Sequence, residues 1–135
     1  DQGWIGWFCQ QALLQKKGML KKPFTISGNG RQVRDVLHAD DMKSLYWSAL
    51  LHPVKDEGQA FNVGGGRNNS MSLLELFSNL ESILDVKLTY KTMPVRESDQ
   101  KVFVADNSKA KLILNWEPLI NKDDGVLKML HWIDN

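Results

Sequence analysis

One short apolar run, Ala60–Val63, is the only good candidate in this sequence for a strand buried on both faces, and it leads directly into Gly64–Gly66. A complete doubly wound α/β domain needs several long apolar strands, each followed by a helix. The other extended segments are short and partly polar, and only a few residues separate them from the helical patterns. We therefore expect an α/β fold, of mixed α+β type, that lacks a complete doubly wound sheet.

Helical periodicity and end signals predict the helices. The clearest is Ser72–Leu84, because Ser72 and Glu75 form a capping box and apolar residues then recur at helical spacing. Four more helices follow from similar patterns: Trp4–Lys17, Met42–His52 behind a cap at Asp40 or Asp41, Asn107–Leu114 and Asp123–Ile133. Besides Ala60–Val63, strands are predicted at Pro23–Ser27 and, from the alternation of Val86, Leu88 and Tyr90, at Val86–Pro94.

Composition excludes several classes of function. The 135 residues carry a formal charge of +1, so there is no strong field to attract nucleic acid or an anionic membrane. The longest apolar stretches are far short of the ~20 residues of a membrane span. The single cysteine, Cys9, rules out an internal disulfide and a multi-cysteine zinc site, and the scattered histidines suggest no metal. The chain opens with neither an initiator Met nor a secretory signal, so we expect an internal piece of a cytoplasmic protein.

The sequence patterns of a nicotinamide cofactor site are missing. A dinucleotide fingerprint needs three glycines at fixed spacing between a strand and a helix, and neither Gly28–Gly30 nor Gly64–Gly66 has that spacing. Neither tyrosine, Tyr46 or Tyr90, is followed four residues later by lysine, which excludes a Tyr-x-x-x-Lys acid/base pair. We therefore assign no catalytic residue, no cofactor-binding residue and no metal ligand to this chain.

Two segments carry residues suited to binding a nucleotide diphosphate. Phe24–Asp35 combines an aromatic strand, a glycine turn and two arginines, whose forked and permanently charged guanidinium groups match phosphate oxygens. Pro94–Gln100 adds Arg96 and also Asp99, a carboxylate able to accept hydrogen bonds from ribose hydroxyls. The alternative is that each arginine forms only a surface salt bridge, which contributes ~0–1 kcal/mol.

In their order along the chain, these segments resemble a known family. The motifs that carry the resemblance are Gly-Asn-Gly-Arg-Gln-Val-Arg-Asp-Val-Leu-His-Ala-Asp-Asp, Phe-Asn-Val-Gly-Gly, Pro-Val-Arg-Glu-Ser-Asp-Gln and Asn-Trp-Glu-Pro. Together they resemble the C-terminal half of the NAD-dependent sugar epimerase/dehydratases, which are extended short-chain dehydrogenase/reductases. The opening Asp1–Phe8 and the string Pro94–Gln100 are similar, more narrowly, to members that epimerise CDP-hexoses.

The resemblance implies that residues 1–135 form the C-terminal nucleotide-sugar-binding domain of a larger epimerase. The main Rossmann domain, which holds NAD and the catalytic Tyr and Lys in this family, would be absent, and the chain alone would be inactive. Its implied partners are a CDP-sugar or related nucleotide-sugar and that missing Rossmann domain. The faces left uncovered predict a homo-oligomer for the isolated chain.

The resemblance also implies the residues of the substrate site. Arg34 and Arg96 match the diphosphate-binding arginines, and Asp99 matches an acidic residue near the ribose. The residues implied around the base are Phe24, Thr25 and Ser27 on one strand, Met71 on the other side, and Gln2 in the loop that closes over the nucleotide. Val36 stands where related epimerases often carry Tyr, so a contact through that hydroxyl would be lost.

Two alternatives remain at this point. The chain could belong to a sugar-nucleotide 4-epimerase or 4,6-dehydratase, because base and sugar preference lies partly in residues outside it. It could instead be a non-catalytic nucleotide-binding or protein-interaction module that has borrowed this fold. What precedes Asp1 in the intact gene product would discriminate between an enzyme and such a module.

Overall fold

A computed structural model describes residues 3–53 and 58–135. The helices are α1 (Trp4–Lys16), α2 (Ala39–Leu51), α3 (Leu73–Leu84), α4 (Ser108–Leu114) and α5 (Lys122–Asp134). The strands are β1 (Phe24–Ser27), β2 (Val33–Asp35), β3 (Ser70–Ser72), β4 (Tyr90–Met93) and β5 (Val102–Phe103). One sheet pairs β1 with β4, and a second has the strand order β3-β2-β5. The chain divides into two compact units, unit 1 (residues 1–33, 71–102 and 126–135) and unit 2 (residues 34–70 and 103–125).

Unit 1 is built on a two-stranded parallel sheet and an aromatic core. In the register of β1 and β4, Phe24 lies opposite Tyr90, and both rings pack against Phe77 of α3. Phe8 of α1 meets the Phe77 ring edge-on, with 5.1 Å between the centroids. Such edge-to-face pairs add about 0.5–1.5 kcal/mol each beyond the apolar area that they bury. The capping box predicted from Ser72 begins α3 with both of its reciprocal hydrogen bonds.

Unit 2 packs α2 and α4 around Trp116. Its core cluster consists of Leu45, Ala110, Leu114 and Trp116. The Trp116 indole N–H donates to the Asp41 carbonyl oxygen (3.1 Å) and to the Ser44 hydroxyl (2.8 Å). The Asp41 side chain is almost fully buried, and its carboxylate accepts from the backbone N–H groups of Leu119 and Ile120 at 3.0 Å each. These two bonds offset the cost of burying the charge.

Several local predictions are wrong, for one shared reason. Ala60–Val63 does not form a strand, because no described residue offers a pairing partner for its backbone. The strand predicted at Val86–Pro94 forms only over its second half, as β4, Tyr90–Met93. The N–H groups of Leu88 and Thr89 instead donate to side chains, those of Glu81 and Gln15. The predicted caps of α2 are also wrong, because the His38 ring accepts from the Asp40 N–H and the helix begins at Ala39. For Ala60–Val63 the missing pairing partner decided the outcome, and in the other two cases side-chain contacts did.

Candidate functional site

A cavity of about 290 Å³ opens in unit 1, where β1 ends. Its lining comes from two stretches of the chain, and we call it the β1 cavity. The lining residues are Ser27, Gly28, Asn29, Arg31, Gln32, Val95, Asp99, Gln100, Lys101 and Val102. Concave sites of roughly this size, with apolar walls and a few converging polar groups, are typical of small-molecule binding.

The glycine turn after β1 gives the cavity its shape. Gly28 and Gly30 adopt φ values of 71° and 76°, which side-chain-bearing residues rarely adopt. A Cβ on Gly30 would also lie 2.9 Å from the Leu74 side chain, and one on Gly28 would lie 3.0 Å from Val95. The turn therefore needs glycine both for its backbone conformation and for the close approach of its neighbours.

Hydrogen bonds hold the polar side of the β1 cavity in place. The Gly28 N–H donates to the Met93 carbonyl at 2.8 Å, which carries the β1–β4 pairing one residue past the strand. The Gln32 side-chain amide donates to the Ser27 carbonyl at 3.1 Å. Opposite charges also line this cavity, with Arg31 and Lys101 as cations and Asp99 as the anion. A cavity with this mixture suits a ligand that is flat and apolar in part and carries hydroxyl and anionic groups.

The structure brings two of the predicted site residues together. Ser27 and Asp99, far apart in the sequence, line the same β1 cavity. Arg96 is exposed and lies one turn before Asp99, whose N–H donates to the Arg96 carbonyl at 3.0 Å. Thr25 is exposed on β1, in register with Lys91 of β4.

The other predicted residues are placed differently. The side chains of Phe24 and Met71 are buried, with 5% and 2% of their surface exposed, so they support the core rather than present a free face. Arg34 lies in unit 2 on β2, next to Asp35. Gln2 lies outside the described residues, so its role stays a prediction.

Sequence reasoning did not select several polar residues of the β1 cavity, Gln32 and Lys101 among them. A glutamine two positions after a glycine turn is a weak local signal, because only the folded chain shows that its amide returns to the Ser27 carbonyl. Lys101 carries no signal of its own in the sequence.

A second cavity, of about 380 Å³, lies in unit 2 beside Gly64–Gly66, which we call the glycine loop. Three of its charged groups have partners within the chain. Lys111 pairs with Glu117 at 2.7 Å, and the Asp106 carboxylate accepts from the hydroxyl and the N–H of Ser108. These bonds from Ser108 lower the pKa of Asp106 below its usual value. These three charged groups are therefore engaged within the chain rather than available to a ligand.

Other reactive or ligating groups do not form a site. Burial raises the pKa of the Cys9 thiol to about 12, so this side chain stays protonated and packs as a small apolar group. Within residues 3–53 and 58–135, no three His, Cys, Asp or Glu side chains come close enough to hold a metal ion. None of the helices in these ranges has the length and apolar character needed to cross a membrane.

Comparison with known proteins defines the class. The family model of GDP-mannose 4,6 dehydratase matches residues 8–129, and the chain belongs to this family. Over 132 residues, 98% of its length, it is 56% identical to the CDP-paratose 2-epimerase of Salmonella typhi, of which it spans 39%. It is 36% identical over 112 residues to the UDP-glucuronate 4-epimerase of Thermodesulfobacterium geofontis, covering 83% of this chain and 33% of that protein.

A solved structure gives the same assignment of the fold. The UDP-glucuronic acid 4-epimerase of Bacillus cereus, in complex with UDP-glucuronic acid and NAD, superposes with a TM-score of 0.81 at 28% identity. The match covers 98% of this chain and 40% of that enzyme. The chain thus spans about two-fifths of the length of these relatives. The α/β class, the resemblance to the sugar epimerase/dehydratases and the correspondence to their C-terminal part are confirmed.

Proposed function

We propose that this chain is the nucleotide-sugar-binding part of an NAD-dependent epimerase that acts on a CDP-hexose, as CDP-paratose 2-epimerase (CDP-tyvelose 2-epimerase) does. The 56% identity over nearly the whole chain supports the choice of substrate class. The observation that carries a binding role is the β1 cavity, which Ser27 and Asp99 line together. Both residues belong to the two segments that the sequence pattern predicts to bind a nucleotide.

Each part of the nucleotide has a proposed partner. The exposed Thr25 and the partly exposed Ser27 of β1 face the base, and Asp99 accepts from the ribose hydroxyls. Arg34 and Arg96 each bring a guanidinium group to the diphosphate, where charge-assisted bonds are strong. Because Phe24 and Met71 are buried, they would act by shaping the strands that meet the base.

In the whole protein, NAD would carry out the redox chemistry. The Bacillus cereus relative is seen with NAD and a nucleotide-sugar together, which supports the same cofactor here. NAD supplies a transient oxidation of the sugar and returns the hydride to it. The residues of this chain would hold the diphosphate and base at a distance from the reacting carbon. That binding energy positions the sugar while leaving the ring free to turn.

We propose that the NAD-binding domain covers an apolar surface of unit 2. Tyr46, Trp47, Leu50 and Leu51 form one side of α2, the α2 face, and each is between 62% and 73% exposed. The Ala60–Val63 segment is apolar and forms no strand with any described residue. Since the chain spans only two-fifths of its relatives, their remaining three-fifths offers the partner for both features. Without that partner, the same face would drive the isolated chain to self-associate.

Nucleotide titration of the full-length protein tests the binding role. We expect CDP to bind, and we expect Arg34→Ala and Arg96→Ala each to weaken binding by about 1.5–3 kcal/mol, the contribution of hydrogen bonds to a charged group. Arg67→Ala is the matched control, because Arg67 is an exposed arginine outside the proposed site, and it should leave the affinity unchanged. Equal CDP affinities for the wild type and both site variants would refute the role of the arginines.

The UDP-glucuronate 4-epimerase relative favours a second candidate, a UDP-sugar 4-epimerase. The same titration separates the two, because a clear preference for UDP over CDP would transfer the assignment to the second. A full-length protein without an NAD-binding domain would instead point to a non-catalytic nucleotide-binding module.

A further inference from the structure

We propose that Asp35 is a positioning residue that fixes the direction of Arg34 toward the substrate diphosphate. This inference rests on the role proposed above for Arg34. It concerns the short strand β2, where Arg34 and Asp35 are neighbours. A strand of three residues has few ladder hydrogen bonds of its own, so contacts at its end decide how firmly it is held.

The Asp35 carboxylate joins two loops of unit 2. Its Oδ2 atom accepts from the Gly66 N–H at 2.9 Å and from the Ala105 N–H at 3.1 Å. Both donors are backbone groups, and charge-assisted bonds of this kind are stronger than neutral ones. We call this arrangement the Asp35 anchor.

The glycine loop packs too closely against the Asp35 anchor to accommodate side chains. A Cβ on Gly64 would lie 2.2 Å from Asp35 Oδ2 and 2.7 Å from the Ala105 side chain, distances at which atoms overlap. A Cβ on Gly65 would lie 1.9 Å from the Val36 carbonyl oxygen. These contacts account for two of the three consecutive glycines in the sequence, because the loop approaches β2 too closely for a side chain.

A second bond holds the chain just after the strand. The Val36 N–H donates to the Asn69 carbonyl at 2.9 Å. The end of β2 is therefore held through the Asp35 side chain and, one residue later, through the backbone. Together these side-chain and backbone bonds fix the position of β2 along its own axis.

The anchor determines which way Arg34 points. Successive side chains of a strand lie on opposite faces, so holding Asp35 toward the loops turns Arg34 to the other face. A slip of one residue would exchange the two faces. Arginine has a long side chain with many rotamers, and a fixed starting direction reduces the entropy lost when it binds phosphate.

Geometry argues against a direct chemical role for Asp35. Its Oδ2 atom already accepts two backbone hydrogen bonds, so this oxygen is engaged within the chain. In the part of the chain that the structure describes, no group of three or more potential metal ligands includes it. Asp35 therefore acts through its contacts with the two loops, and these contacts set the direction of the neighbouring Arg34.

The test is CDP titration of the full-length protein carrying Asp35→Ala or Asp35→Asn. Asp35→Ala removes the anchor and should weaken CDP binding roughly tenfold or more, as Arg34→Ala does. Asp35→Asn keeps an oxygen that can accept both N–H groups, and it should bind within about threefold of the wild type. Equal losses in the two variants would overturn the proposal, because the charge rather than the anchored geometry would then matter.

Asp41→Ala is the matched control. Asp41 also accepts two backbone N–H groups in unit 2, from Leu119 and Ile120, but it is not next to a proposed ligand-binding residue. Both alanine variants should unfold at lower temperature than the wild type, and only Asp35→Ala should lose CDP affinity. A folded Asp35→Ala protein that binds CDP like the wild type would overturn the positioning role.

The double variant Arg34→Ala/Asp35→Ala gives a second readout. If Asp35 acts through Arg34, the double variant should bind CDP within about twofold of Arg34→Ala alone. Fully additive losses would contradict the proposal.

If the wild type binds neither CDP nor UDP, the proposed function fails, and a crystal structure of Asp35→Ala decides the inference by itself. There, an unmoved β2 and Arg34 guanidinium would overturn it, whereas a displaced strand would support it.

Discussion

The helices α2 and α3 have nearly equal lengths but bury very different amounts of apolar surface. In α3, five apolar residues are buried: Leu73, Leu76, Phe77, Leu80 and Leu84. In α2, only Asp41 and Leu45 are buried, and four large apolar side chains stay exposed on the α2 face. The chain contains the partners of α3 but leaves the α2 face uncovered. The described residues thus cover the apolar side of α3, whereas the α2 face stays exposed.

The largest expected effect on stability comes from replacing one leucine in each of the two helices. Leu76→Ala should destabilise the isolated chain by about 2–5 kcal/mol, because the buried side chain leaves a cavity. Leu50→Ala, at a position 73% exposed, should change stability by no more than about 0.5 kcal/mol. Urea unfolding followed by circular dichroism measures both, at protein concentrations low enough that the chain is monomeric. Similar losses would mean that the α2 face is already covered within the chain.

Adding charge to the α2 face tests whether this exposed apolar face is a contact surface. We expect the isolated chain to self-associate through this face, so Trp47→Lys/Leu50→Lys should raise its dissociation constant at least tenfold, or ~1.4 kcal/mol. The control is Leu112→Lys on α4, which is more exposed than either residue and lies outside the face. Sedimentation equilibrium at micromolar concentration supplies the constants. A monomeric wild type, or equal effects of the two changes, would count against the proposed surface.

The smallest expected effect concerns how α3 begins. Ser72→Ala removes the side-chain oxygen that accepts from the Glu75 N–H, and it should cost about 1 kcal/mol. Ser82→Ala, within the same helix, is the control, because Ser82 takes no part in the capping box. Thermal unfolding of both variants resolves the difference. If Ser72→Ala unfolds like the control, then packing against the core, rather than the cap, sets the start of α3.

The candidate site was foreseen in part. The segments Phe24–Asp35 and Pro94–Gln100 stood out because arginine, aspartate and glycine turns suit a nucleotide, and the β1 cavity takes residues from both. The burial of Phe24 and Met71 was not foreseen, since a pattern of residue types does not say which face of a strand meets the core. The cavity residue Lys101 also escaped notice, because an isolated lysine is usually a solvated surface residue.

The amino-acid sequence alone determined the features that depend on nearby residues. The capping box and the helix after Ser72 need only contacts within one or two turns, and the positive φ values at Gly28 and Gly30 are ones that glycine adopts wherever it stands in the chain. Tertiary structure decided whether Ala60–Val63 became a strand and what the Asp35 carboxylate would bind. The physical reason is that a strand and a part-buried carboxylate are stabilised by partners distant in sequence. Those partners come together only when the chain folds.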